Sequence, residues 1–117
     1  MLSAEEAFRR LAIGDHDLLA EVADPDADAG VPRLDELTES LIRVAVLVPL
    51  DAPQSSYHTA VEAAMRAGAT LEDVLAALIA VAGSVGSPRV VAAAPRIALA
   101  GGYDVDAALE ESEAARR

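Results

Sequence analysis

Two histidines carry whatever acid–base chemistry this chain can perform near neutral pH. His58 follows Tyr57 directly, with Asp51 and Gln54 a few residues upstream, beyond a break set by Pro49 and Pro53. A polar pocket lined by Asp51, Gln54, Tyr57 and His58 would suit general acid–base work on a small oxygenated compound. An imidazole titrates near neutrality, and a neighbouring carboxylate can orient it. The same four residues also fit a plainer arrangement, an exposed loop whose Asp51 stabilises the start of the next helix. His16, between Asp15 and Asp17 at a helix start, reads as surface. Ser55 and Ser56 lie close to His58 but lack the surroundings of an activated nucleophile, and capping a helix entry suits them better.

Other chemistries lack their residues. The position three before His58 is Ser55 and three before His16 is Ile13, so no Glu-x-x-His pair exists for a helical di-metal site. No paired metal-ligand spacing occurs, and no metal is expected. Gly83-x-x-Gly86 has neither the lysine nor the strand of a phosphate loop. The chain has no Cys. Disulfides, thiolate zinc sites, iron–sulfur clusters and thiol catalysis are thereby excluded. Nine arginines and no lysine face twenty acids, for a net charge of −11. That balance argues against nucleic acid, which needs clustered cations to release counterions. The three aromatics, Phe8, Tyr57 and Tyr103, are too few for base stacking. The longest charge-free run, Val74 to Pro88, has 15 residues and includes Gly83 and Gly86. A spanning helix needs about 20, so we expect a soluble, cytoplasmic protein with no membrane partner.

The elements that must position these groups are helical. An apolar fraction of 53% across 117 residues supports one folded unit overall. Ser3 and Glu6 resemble a capping box, and that helix should stop near Gly14. Asp15 can cap a second helix to about Ala23. Asp24 to Pro32, rich in acids and broken by two prolines, reads as a solvated linker. Leu34, Leu37, Leu41, Val44, Ala45 and Val48 follow one helical face. Pro53 opens a helix with Tyr57, Val61, Ala64 and Met65 on one stripe, ending at Gly68. Thr70 and Asp73 cap a helix to about Ala82, with Leu71, Val74, Leu75, Leu78, Ile79 and Val81 inside. Gly83 to Pro88 reads as a turn, Pro88 to Ala100 as a helix kinked at Pro95, and Asp104 as the cap of a last acidic helix. The expectation is an all-α fold of about seven helices. Residues 1–33 would hold the N-terminal helices and acidic linker, and 34–117 the main helical domain. Much of the apolar content is alanine and valine, which leaves a small core and points to burial between subunits.

The stretches Leu37–Ala45, His58–Ala64, Ala67–Val74 and Val85–Pro88 together resemble the carboxymuconolactone decarboxylase family, which includes the alkylhydroperoxidase D-like proteins. The most specific piece is a His opening a helix, an Ala-Gly-x-Thr-x-Glu-Asp link about ten residues on, and a Gly-x-Pro turn after the next helix. The likeness covers about residues 34 to 103. It implies a compact alkylhydroperoxidase D-like helical bundle that assembles as a homotrimer or homohexamer. The peroxidase branch uses Cys-x-x-Cys-x-x-x-His with an upstream Glu as proton relay. Counted back from His58, the two sulfur positions fall on Asp51 and Gln54, and the relay on Glu39 or, one residue later, Ser40. Without sulfur this chain cannot reduce peroxides by thiol exchange. The decarboxylase branch needs a positioned acid to protonate an enolate-like anion and a cation to hold the substrate carboxylate. His58 fits the first task. The family's arginine, two residues before the His, is Ser56 here, which leaves Arg43, Arg66 or Arg89 as substitutes.

What the resemblance implies is a cofactor-free lyase or isomerase acting on a small carboxylated metabolite. His58 would be its general acid/base, Glu39 or Asp51 its orienting carboxylate, and Gln54, Tyr57 and Arg43 its substrate contacts. The alternative is a non-catalytic oligomeric module of the same fold that binds a small ligand or a partner. A closed polar pocket around His58 favours the enzyme; an open site there favours the module.

Overall fold

Five of the seven described helices start at short side chains that accept a hydrogen bond from the first turn's free N–H groups. In the computed structural model, which describes residues 2–23 and 30–117, Ser3 Oγ accepts from the Glu6 amide at 3.2 Å and opens α1 (Ala4–Ala12). Asp15 accepts from the Asp17 amide at 3.1 Å ahead of α2 (His16–Ala23). The same carboxylate takes a 2.6 Å bond from Arg10 Nε, which holds the Asp15 pKa below its ordinary value. Most of the expected acidic linker, residues 24–29, lies outside the described residues. The chain divides into two compact units, Met1–Leu34 and Asp35–Arg117, and α1 and α2 belong to the first.

The second unit holds the remaining helices: α3 (Glu36–Val46), α4 (Gln54–Arg66), α5 (Leu71–Val85), α6 (Ser87–Ala100) and α7 (Val105–Ala115). Among the described residues all seven elements are helices and there is no strand. Asp35 caps α3 through a 2.8 Å bond from the Thr38 amide, and its pKa is lowered by the Thr38 backbone and hydroxyl donors. Thr70 and Asp73 form a reciprocal capping box on α5, and Asp104 caps α7. Two boundaries depart from expectation. Leu34 is exposed and precedes the α3 cap, so the apolar face begins at Leu37. Gly83 to Val85 remain helical, and the chain breaks only at Gly86, whose φ of 96° is open to glycine alone at low cost. Half-buried Val85 packs on the core, and that contact offsets the roughly 1 kcal/mol that a helical glycine costs.

The core of this unit is built from small residues around one aromatic. Val44 of α3, Tyr57, Val61 and Ala64 of α4, Val74 and Leu78 of α5, and Ala93 and Ile97 of α6 form a single buried cluster. Tyr57 is the largest of them and only 2% exposed. The expected stripe of α4 is therefore observed, while α5 buries only Val74 and Leu78 of its six expected positions. Leu71, Leu75 and Ile79, spaced four apart, face outward. With Val91, Tyr103 and Leu109 they border an exposed apolar surface, part of which is a groove of about 640 Å³ between α5, α6 and α7.

Candidate functional site

The turn between α3 and α4 is where the sequence is densest in constraint. Proline at 49 and 53 removes two amide donors, so the turn closes through its other residues. Asp51 N–H donates to the Val48 carbonyl at 3.2 Å, and Ala52 N–H to the Leu47 carbonyl at 3.3 Å. Asp51 adopts φ 48°, the sole described non-glycine residue at positive φ. That conformation costs an L-residue roughly 1–2 kcal/mol, less for aspartate than for most. Three side-chain bonds strap this segment to α6. Arg89 Nη1 donates to the Pro49 carbonyl at 2.8 Å, Arg96 Nη1 to the Ala52 carbonyl at 3.2 Å, and Gln54 Nε2 to the Arg96 carbonyl at 2.8 Å.

Beside these straps lies a cavity of about 340 Å³, open to solvent, whose charged residues Asp51, Arg89 and Arg96 are all exposed. Its polar wall is Asp51, Tyr57, Arg89 and Arg96; Val48, Pro49, Pro88, Ala92 and Ala93 supply the apolar remainder. That volume is at the small end of ligand pockets. Arg89 and Arg96 are seven residues apart, two helical turns, so both project from one face of α6 at a backbone spacing of about 10.5 Å. Neither makes an ion pair among the described residues, and Asp51 makes none either. Each guanidinium spends one of its five donors on a carbonyl and keeps the rest. The Tyr57 hydroxyl has no hydrogen-bond partner among the described residues, yet no buried side-chain polar atom is left unsatisfied. It therefore opens onto the cavity that Tyr57 lines. Burial pushes the Tyr57 pKa up; nearby Arg96 opposes that rise and Asp51 adds to it. The phenol is accordingly a protonated donor at neutral pH.

The sequence candidates separate around this cavity. Asp51 and Tyr57 line it, and Gln54 braces its rim. His58 is exposed on α4 and does not line it. Glu39 is half-buried on α3 and pairs with exposed Arg43 at 3.5 Å, away from the cavity wall. Ser40 is buried and its hydroxyl donates to the Glu36 carbonyl at 2.7 Å, so it carries no relay group. Arg66 pairs loosely with Glu62 at 4.0 Å on the surface. Arg96 is the cavity residue that sequence reasoning missed. A signal was present: between Asp73 and Asp104 the only charged residues are Arg89 and Arg96. Two cations in an otherwise uncharged stretch of 30 residues stand out, and both line the same cavity.

Among the described residues no three His, Asp or Glu side chains converge as metal ligands, and no helix is long and apolar enough to cross a membrane. A family model described as Carboxymuconolactone decarboxylase family matches residues 18–98. No curated protein and no solved structure matches the chain.

Proposed function

The chain belongs to the carboxymuconolactone decarboxylase family, and from that premise we propose that it binds a small carboxylated molecule in the cavity between α4, α6 and the α3–α4 turn. One observation carries the reading: Arg89 and Arg96, the only charged residues between Asp73 and Asp104, both line that cavity and neither is ion-paired. An arginine fork matches a carboxylate bidentately, and a charge-assisted bond is roughly twice as strong as a neutral one. In a chain of net charge −11 a local pair of cations also focuses an anion that the rest of the surface repels. Tyr57 would donate to the bound molecule from below, while Ala92, Ala93 and Val48 cover its carbon skeleton. Thiol-dependent peroxide reduction is excluded, since the chain has no Cys.

The test is direct. Butyrate titrated into isotope-labelled protein is expected to move the side-chain Nε–H resonances of Arg89 and Arg96 together, and to leave Arg66 in place. If a panel of small carboxylates moves neither, the reading is wrong.

A second reading keeps the cofactor-free lyase or isomerase, with His58 as general acid/base oriented by Glu39 or Asp51. Exposed His58 does not line the cavity, and an open site there favours a non-catalytic ligand-binding module of the same fold over this second reading. On an identified substrate, His58→Ala retaining full activity would end it.

Self-association as a homotrimer or homohexamer is part of the proposal. The outward stripe of Leu71, Leu75 and Ile79 offers an apolar face to bury.

A further inference from the structure

We infer that the ligand of this cavity is a small monocarboxylate carrying a hydroxyl group rather than a dicarboxylate, because the wall pairs two arginines with one unpaired aspartate. The inference rests on the carboxylate-binding reading above and narrows it to a ligand class.

The charge count comes first. Arg89 and Arg96 bring two positive charges and Asp51 one negative charge to the same cavity. The three groups are exposed and make no ion pairs with one another among the described residues, so each is accessible to a ligand. One carboxylate between the two guanidiniums neutralises the set. A second carboxylate would turn the set net negative and add a like charge to the wall that holds Asp51, which costs affinity. It would also add charge to a chain already at −11.

The aspartate's backbone supplies the second argument. Asp51 sits at φ 48°, where glycine carries no steric cost. Aspartate tolerates that region better than most L-residues, and here it brings a carboxylate-bearing residue, a hydrogen-bond acceptor, to the cavity wall. An acceptor calls for a donor on the ligand. A neutral hydroxyl meets that call and leaves the closed set uncharged. An ammonium would also pair with Asp51, but it would leave the set positive and stand close to two guanidiniums. The Tyr57 phenol donates to the ligand's carboxylate, while Asp51 accepts from the ligand's hydroxyl. The mostly aliphatic remainder of the wall, Val48, Pro49, Ala92 and Ala93, suits a short hydrocarbon skeleton.

Calorimetric titration of the full chain with four probes of one carbon count decides the matter: butyrate, 3-hydroxybutyrate, 3-aminobutyrate and succinate. We expect 3-hydroxybutyrate to bind about tenfold tighter than each of the others, the ratio that one hydrogen bond to a charged group supports. In Asp51→Asn the wall gains one net positive charge, and asparagine tolerates the same left-handed backbone. Succinate is then expected to overtake 3-hydroxybutyrate. Succinate or 3-aminobutyrate binding as tightly as 3-hydroxybutyrate to the unmodified chain would overturn the inference and leave the carboxylate site standing. So would equal binding of butyrate. Failure of all four probes to bind would overturn the carboxylate site itself. The unmodified chain alone settles these outcomes, whatever the stability of the variant.

Discussion

Replacing Tyr57 with phenylalanine separates what this residue does for the fold from what it does for a ligand. The ring is 2% exposed and is the largest member of the core. Phenylalanine keeps that ring and its packing, and only the oxygen goes. Because the hydroxyl has no partner among the described residues, no intramolecular bond is lost. Stability at pH 7 should therefore stay within about 0.5 kcal/mol of the unmodified chain. Tyr57→Ala, which removes the ring as well, should cost about 3–5 kcal/mol. Burial raises the Tyr57 pKa above its ordinary value of 10.0. A group raised on folding contributes stability below the unfolded pKa, and that contribution is lost as pH rises through the folded value. The unmodified chain should thus lose stability above about pH 10 more steeply than Tyr57→Phe. Ligand affinity behaves differently. Loss of one hydrogen bond to the charged carboxylate, about 1.5–3 kcal/mol, should weaken 3-hydroxybutyrate binding by at least about tenfold. Urea unfolding followed by circular dichroism at pH 7 and pH 11, with calorimetric titration of the ligand, measures all three quantities. A stability loss beyond about 1 kcal/mol at pH 7 in Tyr57→Phe would show that the hydroxyl is engaged within the protein. Unchanged affinity would show that no ligand lies over Tyr57. Either result refutes the reasoning.

Arg96→Ala should cost about 0.5–1.5 kcal/mol in urea unfolding, because it strips the Ala52 carbonyl of its donor, and Arg89→Ala should cost less because its bond to Pro49 is exposed; both should reduce carboxylate affinity in the same titration. Val61→Ala removes two methyl-sized groups from a site with no exposure and should destabilise by about 2–3 kcal/mol, without altering which carboxylates bind. The Asp35 carboxyl is held below its ordinary 3.8 by the Thr38 donors, so its contribution is present above that value and fades as pH falls through the lower folded one. Asp35→Asn, which still caps, should flatten the acid limb of an unfolding profile measured between pH 5 and 2.

The helix starts were legible because caps are local. Ser3, Thr70 with Asp73, and Asp104 each bond an amide three residues away, and that spacing is written in the chain. The α4 stripe of Tyr57, Val61 and Ala64 was equally plain from its period. Leu71, Leu75 and Ile79 were misplaced because an almost uncharged helix has no polar face to reveal which side is out. Gly83 was misread as a break because propensity is a weak prior against core packing. The site was half legible. Asp51 and Tyr57 drew notice through their neighbourhood to His58, but the cavity formed beside them and not around the imidazole. Arg96 reaches the turn across 44 residues of sequence, and no local pattern encodes that meeting.

Helix α6 is a party wall. One side, with Arg89, Ala92 and Arg96, borders the cavity beside the α3–α4 turn, and the other, with Val91, Ala94 and Ala98, floors the apolar groove. Pro95 stands within it just ahead of Arg96, and the amide it lacks leaves the Val91 carbonyl without its helical partner. Two occupants that share a wall are tied by thermodynamic reciprocity. Whatever factor a subunit seated in the groove applies to ligand affinity, the ligand applies to subunit association. If a subunit seats in the groove with a coupling factor other than one, protein concentration enters the dissociation constant of whatever binds the cavity.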